Sequence, residues 1–224
     1  KCIFTIMRIL FKYTSRSRRS NFLRGYDSIL NKIANREDYH VLISCDKDDQ
    51  SMFPLPVLDG NYTFVVGNSK NKIDAINRDL NEFDYDWDIL INMSDDMIFT
   101  KKGFDDIIRA EFYNDFNQYL HFNDGNQKCN VCTMHIVGRN YYDRFKYIYH
   151  PDYISLWCDV ENDIVAKQLG CYKYMGDNVQ LFRHLHPAWG LAPQDALSIK
   201  TEDRALWIAD EITFNKRKIK NFGL

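Results

Sequence analysis

The 224-residue sequence lacks the glycine signatures of two common nucleotide-binding designs. Its ten glycines include no G-x-G pair, so the dinucleotide fingerprint is absent, and there is no G-x-x-x-x-G-K-[ST] P-loop. No apolar run approaches ~18 residues, so no membrane-spanning helix is expected. Internal repeats, low-complexity tracts and linkers rich in Pro, Gly or Ser are also missing. One compact domain over residues 1–224 is therefore expected ahead of two small ones. The six cysteines are scattered, and only "QKCNVCTMH" sets two of them, Cys129 and Cys132, at metal-ligand spacing. A structural zinc would need two more ligands brought by the fold from His135, Cys158 or Cys171. A single CxxC favours unpaired thiols in a cytoplasmic protein.

What is present is enough apolar material for a core, at 45% of residues, and an uneven charge. The formal net charge is −2, yet residues 1–26 carry seven bases (Lys1, Arg8, Lys12, Arg16, Arg18, Arg19, Arg24) and no acid. The other 22 of the 29 bases share the remainder with all 31 acids. A basic edge on an acidic body predicts that the amino-terminal end meets an anion, for which a small phosphorylated ligand suffices. The opening "KCIFTIMRILF" is interrupted by Arg8 and followed by no small-residue cleavage site, so it reads as a first strand rather than a leader. Met7 is a candidate natural start, which would make residues 1–6 an upstream addition.

Hydrophobic periodicity alternates along the first hundred residues. Strands are expected at 8–13, 39–45, 62–67 and 87–92. Helices are expected at 21–34, with Phe22, Leu23, Tyr26, Ile29, Leu30 and Ile33 at helical spacing, and at 71–83, with Ile73, Ile76 and Leu80 on one face. This order implies an α/β fold, a mostly parallel sheet flanked by helices. The second half is less regular. It offers strand-like runs at 118–123, 131–138, 171–176 and 179–186, a short helix at 139–145, a helix at 159–170 ended by Gly170, and a terminal helix at 201–222.

In parallel sheets ligands bind beyond the carboxyl ends of the strands. Three loops there are strongly polar: "TSRSRR", "DKDDQ" and "SDD". Arginines for charge, one carboxylate for a base or ribose and another for a metal on a diphosphate suit a nucleotide-sugar. The same loops carry a resemblance. "KYTSRSR", "LISCDKDD", "GNSKNKIDAINRDL", "INMSDDM", "WCDVENDIVAKQLG" and "RHLHP" occur in the order of the motifs of glycosyltransferase family 2, over about residues 8–190. The chain resembles that family, whose fold is the Rossmann-like GT-A type. The resemblance implies a nucleotide-sugar half at about 8–100 and an acceptor-side half at about 101–224.

It also implies roles. Ser15, Arg16 and Arg18 would line the base and phosphates, with Asp46 on the base, Asp48 near it and Lys72 facing the same pocket. Asp95 would hold Mn²⁺ or Mg²⁺ on the diphosphate, with Asp96 on the donor or the metal's waters, and His186 or His184 would be a further ligand. Asp159 would be the general base toward the acceptor, chosen from Asp159, Glu161 and Asp163. The donor would be a nucleoside-diphosphate sugar, with a UDP-sugar as the default, and transfer would invert the anomeric centre. The sequence departs from the family's Asp-x-Asp, since Met93 and Ser94 stand two residues before Asp95 and Asp96.

Plainer readings compete. Asp95 and Asp96 could end a strand or cap a helix starting near Lys102, and "CDKDDQ" could be a solvated turn. "DVEND" could be a helix's amino-terminal acid cluster. Arginines at a helix start oppose its dipole, a conflict that an arriving anion relieves. The histidines of "HLHP", at alternate strand positions, point to one face. Trp157 and Trp189 are candidates to stack on a sugar. The rival functions are a non-enzymatic binder of nucleic acid or another polyanion and, ranked lower because "YTSRSRRS" has no glycine, a sugar-nucleotidyltransferase. The acceptor is open among saccharide, lipid, protein and nucleic acid.

Overall fold

The computed structural model describes residues 7–224, so the expectations for residues 1–6 lie outside the described residues. Strand β1 (Ile9–Thr14) is followed by α1 (Arg19–Lys32), β2 (Tyr39–Asp46), β3 (Tyr62–Gly67), α2 (Lys72–Asn77) and β4 (Ile89–Ser94). Then come β5 (Met97–Phe99), α3 (Phe104–Glu111), β6 (Tyr119–His121), β7 (Ile136–Gly138) and α4 (Arg139–Tyr142). The chain ends with α5 (Cys158–Gln168), β8 (Tyr172–Tyr174), β9 (Phe182–His184), α6 (Ala196–Thr201) and α7 (Arg204–Ile219). Seven strands form one sheet in the order β3-β2-β1-β4-β7-β6-β8, and β5 pairs with β9 in a separate two-stranded ribbon. In the large sheet β7 alone runs against its neighbours. The expected mostly parallel α/β sheet is therefore present.

Side-chain alternation along β1 explains its burial on both faces. Ile9, Phe11 and Tyr13 pack with Phe22, Tyr26 and Ile29 of α1, while Leu10 packs on the other face with Ile73 and Ile76 of α2. Gly25 lets α1 approach closely, because a Cβ there would lie 2.1 Å from the Tyr13 hydroxyl. Burying each large apolar side chain contributes on the order of 2 kcal/mol. Lys12, next in the alternation, is fully buried and donates to Ser44 Oγ and, at 2.9 Å, to the Arg78 carbonyl.

Three expectations need correction. The helix foreseen over 71–83 stops at Asn77, because Arg78 turns extended and its Nη2 donates to the Cys45 carbonyl at 2.6 Å. Asp79 then takes a positive φ of 73°. Of the terminal helix foreseen over 201–222, Arg204–Ile219 forms as α7, capped by Asp203, which accepts from Ala205 N, and it is preceded by an unforeseen short helix, α6, that Asp195 caps through a capping box with Ser198. Of the strand foreseen over 131–138 only β7 forms, since Cys132 N is taken by Asp163 Oδ2 at 3.0 Å. A helix does begin near Lys102, but its first-turn acids are Asp105 and Asp106, not Asp95 or Asp96.

Candidate active site

One open cleft of ≈720 Å³ lies at the carboxyl ends of β1, β2 and β4, a volume in the range of small-ligand sites. Ser15, Arg16 and Arg18 enter it from the turn after β1, Asp46 and Asp48 from the end of β2, and Asp95 and Asp96 from the turn after β4. Lys72 opens α2 beside them. The second half brings Asp159 on the first turn of α5, and His184 and His186 at the end of β9. Every residue singled out by the resemblance faces this cleft.

At one end the arginine and the acidic loop hold each other. Arg16 Nη1 lies 2.6 Å from Asp46 Oδ2, and its two Nη atoms reach the Asp48 carboxylate at 2.8 and 2.6 Å. Asp46 also accepts from Ser69 Oγ at 2.6 Å. Arg78 Nη2 approaches the same carboxylate at 3.9 Å. The Arg16 hydrogen bond keeps the Asp48 carboxyl below its ordinary range. Ser69 and Arg78 were not foreseen from sequence as neighbours of the site.

In the middle the two adjacent acids differ. Asp95 is buried, accepts from Ser15 Oγ at 2.8 Å and pairs with Arg18 Nη1 at 3.2 Å. Burial, then the charge of Asp96, push its carboxyl up to about 6 against the pull of Ser15 and Arg18. Arg18 in turn forks onto Asp195, the α6 cap, with two contacts of 2.6 Å. Asp96 accepts from Ser94 Oγ and lies 3.2 Å from His184 Nε2. Strand register explains that meeting: Asp96 precedes Met97, and Met97 of β5 pairs with His184 of β9. Leu185 N also donates to the Asp96 carbonyl at 2.7 Å.

His184 sits between two carboxylates, with its Nδ1 3.6 Å from Asp124 Oδ2. Burial alone would lower its pKa, but Asp124 and Asp96 outweigh burial and raise it to about 9. Burial opposes ionisation of Asp96 as well, yet the His184 hydrogen bond and charge hold that carboxyl far below the ordinary range. His186 Nε2 contacts Glu202 Oε1 at 3.0 Å, and its ring lies 5.1 Å from that of His184, on the same side as the alternation argument required. Asp96, His184 and His186 each offer a ligand atom, all within 4.8 Å of one another. A carboxylate with two imidazoles is a donor set for a divalent metal ion. Asp124 and Glu202 carry no local motif and were missed.

Asp159 is half-buried at the cleft wall and accepts from its neighbour Val160 N at 2.8 Å. Burial raises its carboxyl, while Lys72 and His184 counter it. The other two acids of "DVEND" face away from the cleft. Glu161 is clamped by Arg217 and Tyr153 Oη, and Asp163 accepts from Tyr119 Oη and Cys132 N. Trp189 lines the cleft and is 45% exposed, whereas Trp157 packs on Trp207 and Phe214, so only one of the two tryptophans is placed to meet a sugar. Cys45, Cys129, Cys132, Cys158 and Cys171 are free thiols, and Cys2 lies outside the described residues. The buried Cys132 clusters with His121 and Asp163, not with Cys129 or the three partners considered from sequence.

No protein-family model and no curated protein matches the sequence. Solved structures do match. A mannosyltransferase from Pyrobaculum calidifontis, in complex with GDP-Man and Mn²⁺, superposes with a TM-score of 0.64 at 12% identity, over 83% of this chain and 60% of its own. S. aureus TarS gives 0.59 at 11%, over 79% of this chain and 36% of its own. The catalytic domain of Drosophila β1,4-galactosyltransferase 7, complexed with xylobiose, gives 0.57 at 11%, over 89% and 81%. A 4-diphosphocytidyl-2C-methyl-D-erythritol synthase from Anaerococcus prevotii shares the fold at 0.52. The chain thus spans under two thirds of the first two proteins. It has a GT-A-like fold, the fold of these nucleotide-sugar transferases.

Proposed function

We propose that the protein is a metal-dependent glycosyltransferase that moves a sugar from a nucleoside diphosphate to a hydroxyl acceptor with inversion. The observation that carries this reading is the convergence of Asp96, His184, His186 and Asp159 in one cleft with the Arg16 and Arg18 loop. Support also comes from neighbours of the same fold solved with GDP-Man and Mn²⁺, or with manganese and UDP-Gal.

Asp96, His184 and His186 would hold Mn²⁺ or Mg²⁺, whose bound charge would stabilise the leaving diphosphate. Arg18 would exchange Asp195 for a donor phosphate, and Ser15 and Asp95 orient Arg18 for it. Asp46, held by Ser69 and Arg16, accepts from the base, with Asp48 beside it. Lys72 faces the cleft, and its charge favours the ionised forms of Asp96 and Asp159. Asp159 takes the proton from the acceptor hydroxyl as that oxygen bonds to the anomeric carbon. The anomeric carbon–oxygen bond to the diphosphate breaks on the opposite face. The raised Asp159 pKa suits a general base.

Thermal stabilisation by a panel of nucleoside diphosphates, with and without Mn²⁺, tests the proposal. A manganese-dependent rise in melting temperature with one nucleotide, lost in Asp96→Asn, is expected. No response to any nucleotide would overturn it. The synthase of the same fold favours a second reading, nucleotidyl transfer. That reading predicts pyrophosphate release from a nucleoside triphosphate, and it lacks a glycine in the loop after β1 to cradle a triphosphate.

A further inference from the structure

The terminal helix α7 is apolar on two faces. Its inner face is packed: Asp210 and Phe214 are buried, and Trp207 lies against Trp157. On the opposite side Ile208, Ile212 and Ile219 are 42%, 50% and 86% exposed. At ~100° per residue these three fall within about 40° of arc, so they form one ridge along the helix. Single exposed apolar residues are ordinary, but a ridge on the solvent side of an otherwise packed helix is not. Exposed bases lie to either side of it: Arg204 at the start, its guanidinium 4.5 Å from the Trp207 ring, then Lys216, Lys218, whose amine is 5.9 Å from the Phe214 ring, and Lys220 at the end. The helix dipole accounts for the terminal lysines but not for the isoleucines between them and Arg204.

We infer that this face of α7 docks on an anionic lipid bilayer. Two features favour that occupant. The four exposed bases belong to a chain of net charge −2, so they are a local concentration and not general basicity. Against them α7 offers the partly exposed Glu211, and Asp203 precedes it as its cap. A second copy of the chain fits poorly. Antiparallel pairing of two ridges sets Arg204 against the lysine end, and parallel pairing sets each base against its equal, so both bring like charges together. A bilayer satisfies both features at once, taking isoleucines at the acyl boundary and bases at the headgroups.

The test is co-sedimentation of the full chain with phosphatidylcholine vesicles and with an equal mixture of phosphatidylcholine and phosphatidylglycerol. Binding to the anionic vesicles alone is expected, and it weakens as salt rises. Replacing Ile208, Ile212 and Ile219 together by serine should abolish it. Each of Lys216→Ser, Lys218→Ser and Lys220→Ser should weaken it about fivefold. These positions are solvent-facing and outside the cleft, so the melting temperature and the nucleotide response should be unchanged. The docking result is therefore independent of the transferase reading. Failure to sediment, sedimentation untouched by the isoleucine changes, or a doubled solution mass that those changes reverse would each overturn the inference.

Discussion

The two halves of the molecule are built to different rules. Strands β1 to β4 run six to eight residues in parallel register, and the helices between them follow hydrophobic spacing. Strands β6, β7 and β8 have three residues each, and the loops around them hang on buried carboxylates that belong to remote elements. Asp210 of α7 is fully buried and accepts from the backbone N–H groups of Ile154, Ser155 and Leu156 at 2.7–2.8 Å. Asp163 of α5 accepts from Cys132 N, in the loop before β7, at 3.0 Å. The cleft joins a half whose shape comes from its strands to one whose shape comes from polar pins. The first supplies the loops proposed to bind the donor and Asp96, the second the two histidines and Asp159.

The largest expected effects separate those contributions. Asp159→Asn should cut transfer about 10²- to 10⁴-fold, the usual worth of a general base, while leaving manganese-dependent nucleotide stabilisation intact. Asp96→Asn should abolish that stabilisation and transfer together. Turnover with a cognate donor and melting curves on the same samples check both. If Asp159→Asn lost nucleotide binding as well, the acid would serve the donor and not the acceptor.

Next in size is the pin. Asp210→Ala leaves three backbone donors without a partner and should cost on the order of 3 kcal/mol or more, read as a lowered midpoint in urea unfolding. Because the pinned segment leads directly into α5, transfer should fall with it, whereas nucleotide binding by the first half should be retained below the unfolding transition. Equal loss of both functions would show that the halves do not act separately.

That difference also sets what can be read from the sequence. The parallel sheet was legible because each strand and helix carries its own periodicity, and the cleft-lining loops because polar residues cluster at strand ends. Arg16 and Asp46 needed no long-range knowledge, whereas the resemblance set the metal on Asp95, with Asp96 on the donor or the metal's waters. Asp124 and Asp195 reach the site through contacts 60 to 177 residues away in the chain, so no local pattern marks them. The split of Asp95 and Asp96 was equally hidden. The two adjacent side chains part at the end of β4, one toward the β1 loop and the other toward β9, and only the β5–β9 pairing reveals the second destination.

The smallest effect is one of pH, and it sets the halves against each other. In the second half His184 has its pKa raised to about 9 from 6.5. Its stabilising pairing with Asp96 and Asp124 is complete below pH 6.5 and is lost as pH rises through about 9. In the first half burial depresses Lys12 to about 7 from 10.5, with Asp79 partly offsetting it. Between those values the unfolded chain binds the extra proton, so this lysine makes stability rise with pH. Over pH 7–9 the two slopes oppose, and metal-free wild type should be nearly flat. His184→Gln should expose a rise of about 2 kcal/mol across that window, and Lys12→Met a fall of about the same size. Urea midpoints at three pH values measure both. A wild-type slope that neither substitution changes would mean that neither buried base titrates in this range. Added Mn²⁺ sharpens the comparison: metal binding to His184 competes with its proton, so the stability gained from the metal should grow with pH up to about 9, while the Lys12 slope stays as it was.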